Sequence, residues 1–128
     1  MLKLISFLLV GHFLGDFVFQ PRNIAKRKSS DPIILFCHVC IVSYFILIAS
    51  WMASHDFWFA LSVTGLNFIG HYCIDITTWN LYKWANRYRP LFHEEQVYED
   101  KWFWITLGGD QLLHGLTLLA IIGILGKF

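Results

Sequence analysis

The stretch GHFLGDFVFQ, Gly11 to Gln20, decides how this chain is read. It closes the first apolar run, yet His12, Asp16 and Gln20 recur every four residues within it. On a helix that spacing lines the three polar side chains along one face. An ionisable group inside a bilayer costs several kcal/mol, so residues of this kind have a partner or a task.

The rest of the composition supports a membrane setting for that row. Of 128 residues, 56% are hydrophobic and 18% aromatic, and only 15% are charged. A soluble domain carries about 25% charged residues, so this chain is short of polar surface. Its apolar residues fall in blocks near the roughly 20 residues that a helix needs to cross a bilayer. The expected fold is an all-α, four-transmembrane-helix bundle forming one polytopic membrane domain over 1–128. Its spans are expected at about 2–20, 33–53, 57–77 and 102–125. The short link Ser54-His55-Asp56 makes the second and third spans a tight antiparallel hairpin. The first span has no small-residue cleavage site and reads as a retained helix. Trp79 to Tyr88 mixes aromatic and basic residues and is expected to lie as an interfacial helix on the cytoplasmic leaflet, between helices 3 and 4.

Basic residues set the orientation. Arg22, Lys26, Arg27 and Lys28 fill the first connection, and Lys83, Arg87, Arg89 and Lys101 the third; Lys3 and Lys127 alone fall on the other side. The positive-inside rule makes both connections cytoplasmic and both termini non-cytoplasmic, in a bacterial inner membrane. The basic loops read as topology signals and contacts for anionic membrane lipid, and no nucleic acid is expected as a partner.

The polar row has company. His71 and Asp75 repeat the spacing in the third span, Asp110 and His114 reverse it in the fourth, and the second span adds His38. With helix direction alternating, all of these fall within about 18 Å of the cytoplasmic surface at 1.5 Å per residue. Four histidines and three aspartates in one layer suit a divalent metal, zinc first, with manganese and iron as the other candidates. The expected ligands are His12, Asp16, His38, His71, Asp75, Asp110 and His114, enough for one ion or two. Asp16, Asp75 and Asp110 are the catalytic candidates, each readable as ligand or base. Gln20, Asn67 and Gln111 would orient substrate or ligands. The expected chemistry is metal-dependent hydrolysis of a phosphoester or lipid-linked substrate. The alternative readings of the same row are a small transporter, channel or proton relay, polar glue between helices, or a non-catalytic phage or defence factor.

Cys37, Cys40 and Cys73 read as small apolar filler, because an odd thiol count inside spans makes no disulfide framework. Trp51, Phe57, Trp58, Trp102 and Trp104 fit an interfacial belt. His93, Glu94, Glu95, Glu99 and Asp100 read as a solvated acidic face. A homo-oligomer is compatible with all of this.

The ordered set His12-x-x-x-Asp16-Phe17-x-x-Gln20, His38, His71-x-x-x-Asp75 and Asp110-Gln111-x-x-His114 resembles the domain-of-unknown-function family numbered 3307. These are small bacterial and phage membrane proteins, and the resemblance spans nearly the whole chain without implying an activity. At the level of spacing alone, the His-x-x-x-Asp pairs are similar to helical ligands of the zinc-dependent phospholipase C and P1 nuclease group and of membrane-bound metal-dependent hydrolases. This chain lacks those soluble enzymes' length and full ligand set.

Overall fold

The computed structural model describes residues 1–87 and 100–126, all of whose regular structure is helical. Helix α1 spans Leu2–Phe13 and runs directly into a wide π turn, Leu14–Val18. A short α2 covers Arg22–Arg27, and three long helices follow: α3 at Pro32–Ser54, α4 at Phe57–Asn86 and α5 at Lys101–Leu125. Helices α3, α4 and α5 are long and apolar enough to cross a membrane. Helix α1 has 12 residues and its π turn five more, just short of a full crossing.

Local chemistry explains the boundaries. Asp31 caps α3, its carboxylate accepting from Ile33 N at 3.0 Å and Ile34 N at 3.3 Å, with Pro32 at the first helical position. Asp56 accepts from Phe59 N and Asp100 from Trp102 N, each at 3.0 Å, so every long helix starts on an aspartate. Asp100 also accepts from the Tyr82 hydroxyl at 3.1 Å. It thus joins the end of α4 to the start of α5, where a solvated face was expected; His93, Glu94, Glu95 and Glu99 lie outside the described residues. His55 closes α3 with a left-handed φ of 55°, which makes the hairpin to α4 tight, as its three-residue link requires.

The interfacial helix expected at Trp79 to Tyr88 is not a separate element. Residues Trp79–Asn86 continue α4, a helix of 30 residues. At 1.5 Å per residue it is about 45 Å long, so it outreaches a hydrocarbon layer of roughly 30 Å. The surplus carries Lys83, which donates to Ser29 O at 2.6 Å and ties the α2–α3 turn to the bundle.

In section the long elements form a ring: α3 packs on α1 and α4, α5 packs on α4, and α1 closes on α5. Glycines set the α1–α3 approach. A Cβ at Gly11 would stand 2.8 Å from the Ala49 Cβ, and one at Gly15 would stand 2.7 Å from the Val42 Cα. Small residues at such contacts let the two backbones close. Along its length the bundle divides in two. Leu4, Leu8, Val42, Ile46, Val63, Leu118 and their neighbours form an apolar core on the side of the α3–α4 hairpin. The polar residues occupy the side of α2. The outer wall is apolar, with Trp51, Phe57, Trp58, Trp102 and Trp104 all half exposed or more. Cys37, Cys40 and Cys73 are exposed and free; they line the outside of their helices and fill no core.

Candidate metal centre

The π turn aims the first functional side chain. Phe19 N donates to Leu14 O at 2.8 Å, five residues back, which widens the helix by one residue around Asp16. Turns of this kind are frequent at functional sites. Here the turn brings Asp16 Oδ1 to 3.0 Å from His38 Nε2 on α3. His38 Nε2 is in turn 3.2 Å from His71 Nε2 and 3.3 Å from Asp75 Oδ2, both on α4. His71 Nε2 stands 3.5 Å from Asp75 Oδ2 and 4.0 Å from Asp16 Oδ1.

These separations have a physical meaning. A tetrahedral ion with N and O ligands at about 2.0–2.2 Å fixes ligand–ligand distances of about 3.3–3.6 Å. Among Asp16 Oδ1, His38 Nε2, His71 Nε2 and Asp75 Oδ2, the five separations above run from 3.0 to 4.0 Å, around that range, and Asp16, His38 and His71 form a group able to hold an ion. A second group, His71, Asp75 and His114, also brings one ligand atom from each within 4.8 Å of the others and shares two members with the first. His114 Nε2 lies 3.4 Å from Asp75 Oδ1 and 3.6 Å from Asp110 Oδ2, and its ring stacks on His71 at 3.9 Å.

The remaining candidates sort themselves by contact. His12 Nε2 donates to Gln111 Oε1 at 3.2 Å. Gln111 Nε2 donates to Asp16 Oδ2 at 2.6 Å and to Asp110 Oδ2 at 3.4 Å. His12 Nε2 also lies 3.8 Å from Asp16 Oδ2, so His12 reaches Asp16 both directly and through Gln111. Asn67 is buried one turn from His71, with no protein partner for its amide nitrogen among the described residues. Gln20 does not join the cluster: its amide donates to the Asp16 carbonyl oxygen at 3.2 Å and closes the π turn.

One member is absent from the sequence expectation. Lys28, read there as a topology signal, reaches inward from the turn after α2. Its Nζ lies 3.4 Å from Asp16 Oδ1, 3.3 Å from Asp75 Oδ2 and 3.1 Å from His38 Nε2. Burial by itself lowers a lysine pKa, but the carboxylates of Asp75, Asp16 and Asp110 outweigh it and hold this ammonium above its ordinary value. The available signal was position: Lys28 precedes the α3 cap by three residues, on the side to which the polar layer had been assigned.

Charge then limits what fits. Three buried carboxylates and one buried ammonium leave a formal −2 when the four imidazoles are neutral. With the Lys28 ammonium retained, one divalent cation brings the cluster to zero and two bring it to +2; with the ammonium displaced, the totals are −1 and +1.

A family model for a protein of unknown function, DUF3307, matches residues 4–127. The chain belongs to the DUF3307 family. The match covers every element that contributes to the cluster, from His12 on α1 to His114 on α5. No curated protein and no solved structure matches the chain. For this DUF3307 member the function must therefore be argued from the site itself.

Proposed function

We propose that this protein holds one divalent transition-metal ion between four membrane-spanning elements and uses it to hydrolyse an anionic phosphoester at the membrane. The observation that carries the reading is the buried set of Asp16, His38, His71 and Asp75, in which both aspartates stand 3.0–4.0 Å from both histidine Nε2 atoms, in a cluster of net charge −2. Zinc suits two imidazoles and two carboxylates best, with manganese and iron as alternatives. The bound ion would supply Lewis acidity and a water acidified to near neutral pH.

The chain's own residues cover the remaining tasks. Gln111, itself held by His12, fixes the free oxygen of Asp16. His114 and Asp110, paired at 3.6 Å, stand where a proton is passed to or from the reacting oxygen. Asp110 also lines a cavity of about 700 Å³ between α4 and α5, whose wall includes Leu81, Leu112 and Leu113. An apolar groove with a carboxylate at its inner edge suits an amphiphile with its tail in the groove and its head at the cluster. A lipid-linked phosphoester is the substrate class with that shape. In this reading α1 and its π turn form the fourth crossing. The α2 side is cytoplasmic by the positive-inside rule, and both termini face away from the cytoplasm.

A second reading, a proton or ion relay, has its own support. The Nδ1 atoms of His12, His38 and His71 are buried with no protein partner among the described residues, whereas ligating histidines ordinarily donate that N–H. Two protonated imidazoles would also neutralise the −2 charge.

The two readings part in one experiment. Detergent-purified protein would be analysed for metal, then assayed on bis(p-nitrophenyl) phosphate and on phosphatidic acid in mixed micelles, with and without chelator. The expected result is one ion per chain and hydrolysis that is lost on chelation and in Asp16→Asn. Proton flux in proteoliposomes that ignores chelator, with neither phosphoester cleaved, would overturn the hydrolase in favour of the relay.

A further inference from the structure

Lys28 is the one cation inside the cluster, among the described residues, that does not come from a long helix. It follows α2 directly, on the turn between α2 and α3, and its side chain is only 10% exposed. Three atoms surround its Nζ at 3.1–3.4 Å: Asp16 Oδ1, Asp75 Oδ2 and His38 Nε2. All three are also among the candidate ligand atoms of the ion site. An ammonium donates to lone pairs at about 3 Å, and a metal ion takes the same lone pairs at about 2 Å. The ammonium and a divalent ion therefore compete for the same electrons.

The turn that delivers Lys28 is lightly fastened. None of the described side chains of α2 is buried, and among the described elements α2 packs only against α3. Besides its own backbone bonds, the turn is tied by Lys83 Nζ to Ser29 O, by the exposed pair of Arg27 with Asp31 at 3.0 Å, and by the Asp31 cap that follows. Lysine suits an exchangeable role, since its long flexible stem carries a compact charge that returns readily to water.

We propose that Lys28 is a tethered counter-ion of the cluster, exchanged for the divalent metal: it fills the three-ligand face when no ion is bound and is expelled when one binds. This rests on the divalent-ion reading given above. Asp16 and Asp75 hold the ammonium in place, with Asp110 a weaker attraction, and an ion of charge +2 at comparable range cancels the pull of the nearer two. A desolvated ammonium left with Asp110 alone moves to water, and the α2–α3 turn moves with it. Cation loading is thereby coupled to the position of a loop on the α2 face of the bundle. In the unloaded state, the carboxylates do not face one another uncompensated.

The test uses the full-length protein in detergent after chelator treatment. Cobalt(II) is titrated into wild type and Lys28→Met, and binding is followed by its visible absorption. In parallel, wild-type protein is pulse-labelled with acetic anhydride with and without zinc, and Lys28 and Lys3 are quantified by mass spectrometry. The expected results are at least tenfold tighter cobalt binding in Lys28→Met, and several-fold faster acetylation of Lys28 with zinc while Lys3 is unchanged. The labelling needs no variant, so a misfolded Lys28→Met would not disable the test. Equal or weaker affinity in the variant, or zinc-independent labelling of Lys28 in a protein that binds cobalt, overturns the exchange and leaves the metal site standing. Absence of cobalt binding in both proteins removes the metal site and the exchange together.

Discussion

At the residue scale the cluster is a problem of buried charge with a specific solution. Asp75 faces His38, His71, His114 and Lys28 at 3.3–3.5 Å, and its side chain is 1% exposed. Removing one partner of such a group strands the others and costs about 3–5 kcal/mol, whereas removing both partners of a pair costs far less. Asp75→Asn should therefore destabilise the metal-free protein by about 3–5 kcal/mol. Adding Lys28→Met should restore more than 1 kcal/mol of that loss. Chemical unfolding in detergent, read as a double-mutant cycle, measures the coupling directly; strictly additive effects would mean that the two residues do not share charge. The histidines and aspartates were legible because their i,i+4 spacing is a property of one helix. Lys28 was not, because its contacts join one turn to the π turn, α3 and α4, and no periodicity records them.

Elements translate that chemistry into position. The π turn at Leu14–Val18 rotates Asp16 towards α3, and it can do so because Gly11 and Gly15 let the backbones touch. A methyl group at Gly15 would meet the Val42 backbone at 2.7 Å, which cannot yield as a side-chain tip would. Gly15→Ala is thus expected to lower stability by about 1–3 kcal/mol, and to weaken metal binding because Asp16 is displaced. Gly65 sits in α4 with nothing within 4 Å of an added Cβ, so Gly65→Ala should be neutral or slightly stabilising. Thermal unfolding of the two variants side by side tests the distinction; equal behaviour would refute the close-approach argument. Asp31→Ala removes the cap of α3 and should cost about 1 kcal/mol in the same measurement.

At the scale of the whole molecule the question is how many times the chain crosses. Helices α3, α4 and α5 are each long enough, and α1 with its π turn is the short member. Yet α1 supplies His12, and its π turn supplies Asp16, to the same layer as α4 and α5. We expect α1 to cross, with the bilayer thinned or the chain tilted to suit. Reporters fused before Met1 and after Phe128 should then indicate the same, non-cytoplasmic side, and one inserted after Ser30 the opposite side. Termini on opposite sides would mean three crossings and an α1 that enters the membrane without leaving it.

Composition and spacing by themselves determined the helical class, the hairpin at Ser54–Asp56, and the alternation that puts His12, His38, His71, Asp75, Asp110 and His114 at one depth. Those are consequences of period and length, which a single chain carries locally. Tertiary packing decided the rest. It continued α4 through Asn86 where a separate surface helix was expected, because Lys83 and Tyr82 find partners in Ser29 and Asp100 beyond the long span. It assigned Asp100 to a helix cap and Gln20 to the end of the π turn. Above all it bonded His12 to Gln111, set Asp16 and Asp75 against both His38 and His71, and brought Lys28 into their midst. Helix period gives the face on which a side chain lies; which atoms touch depends on how closely the backbones approach and on where a turn directs its ammonium, and both are set between elements.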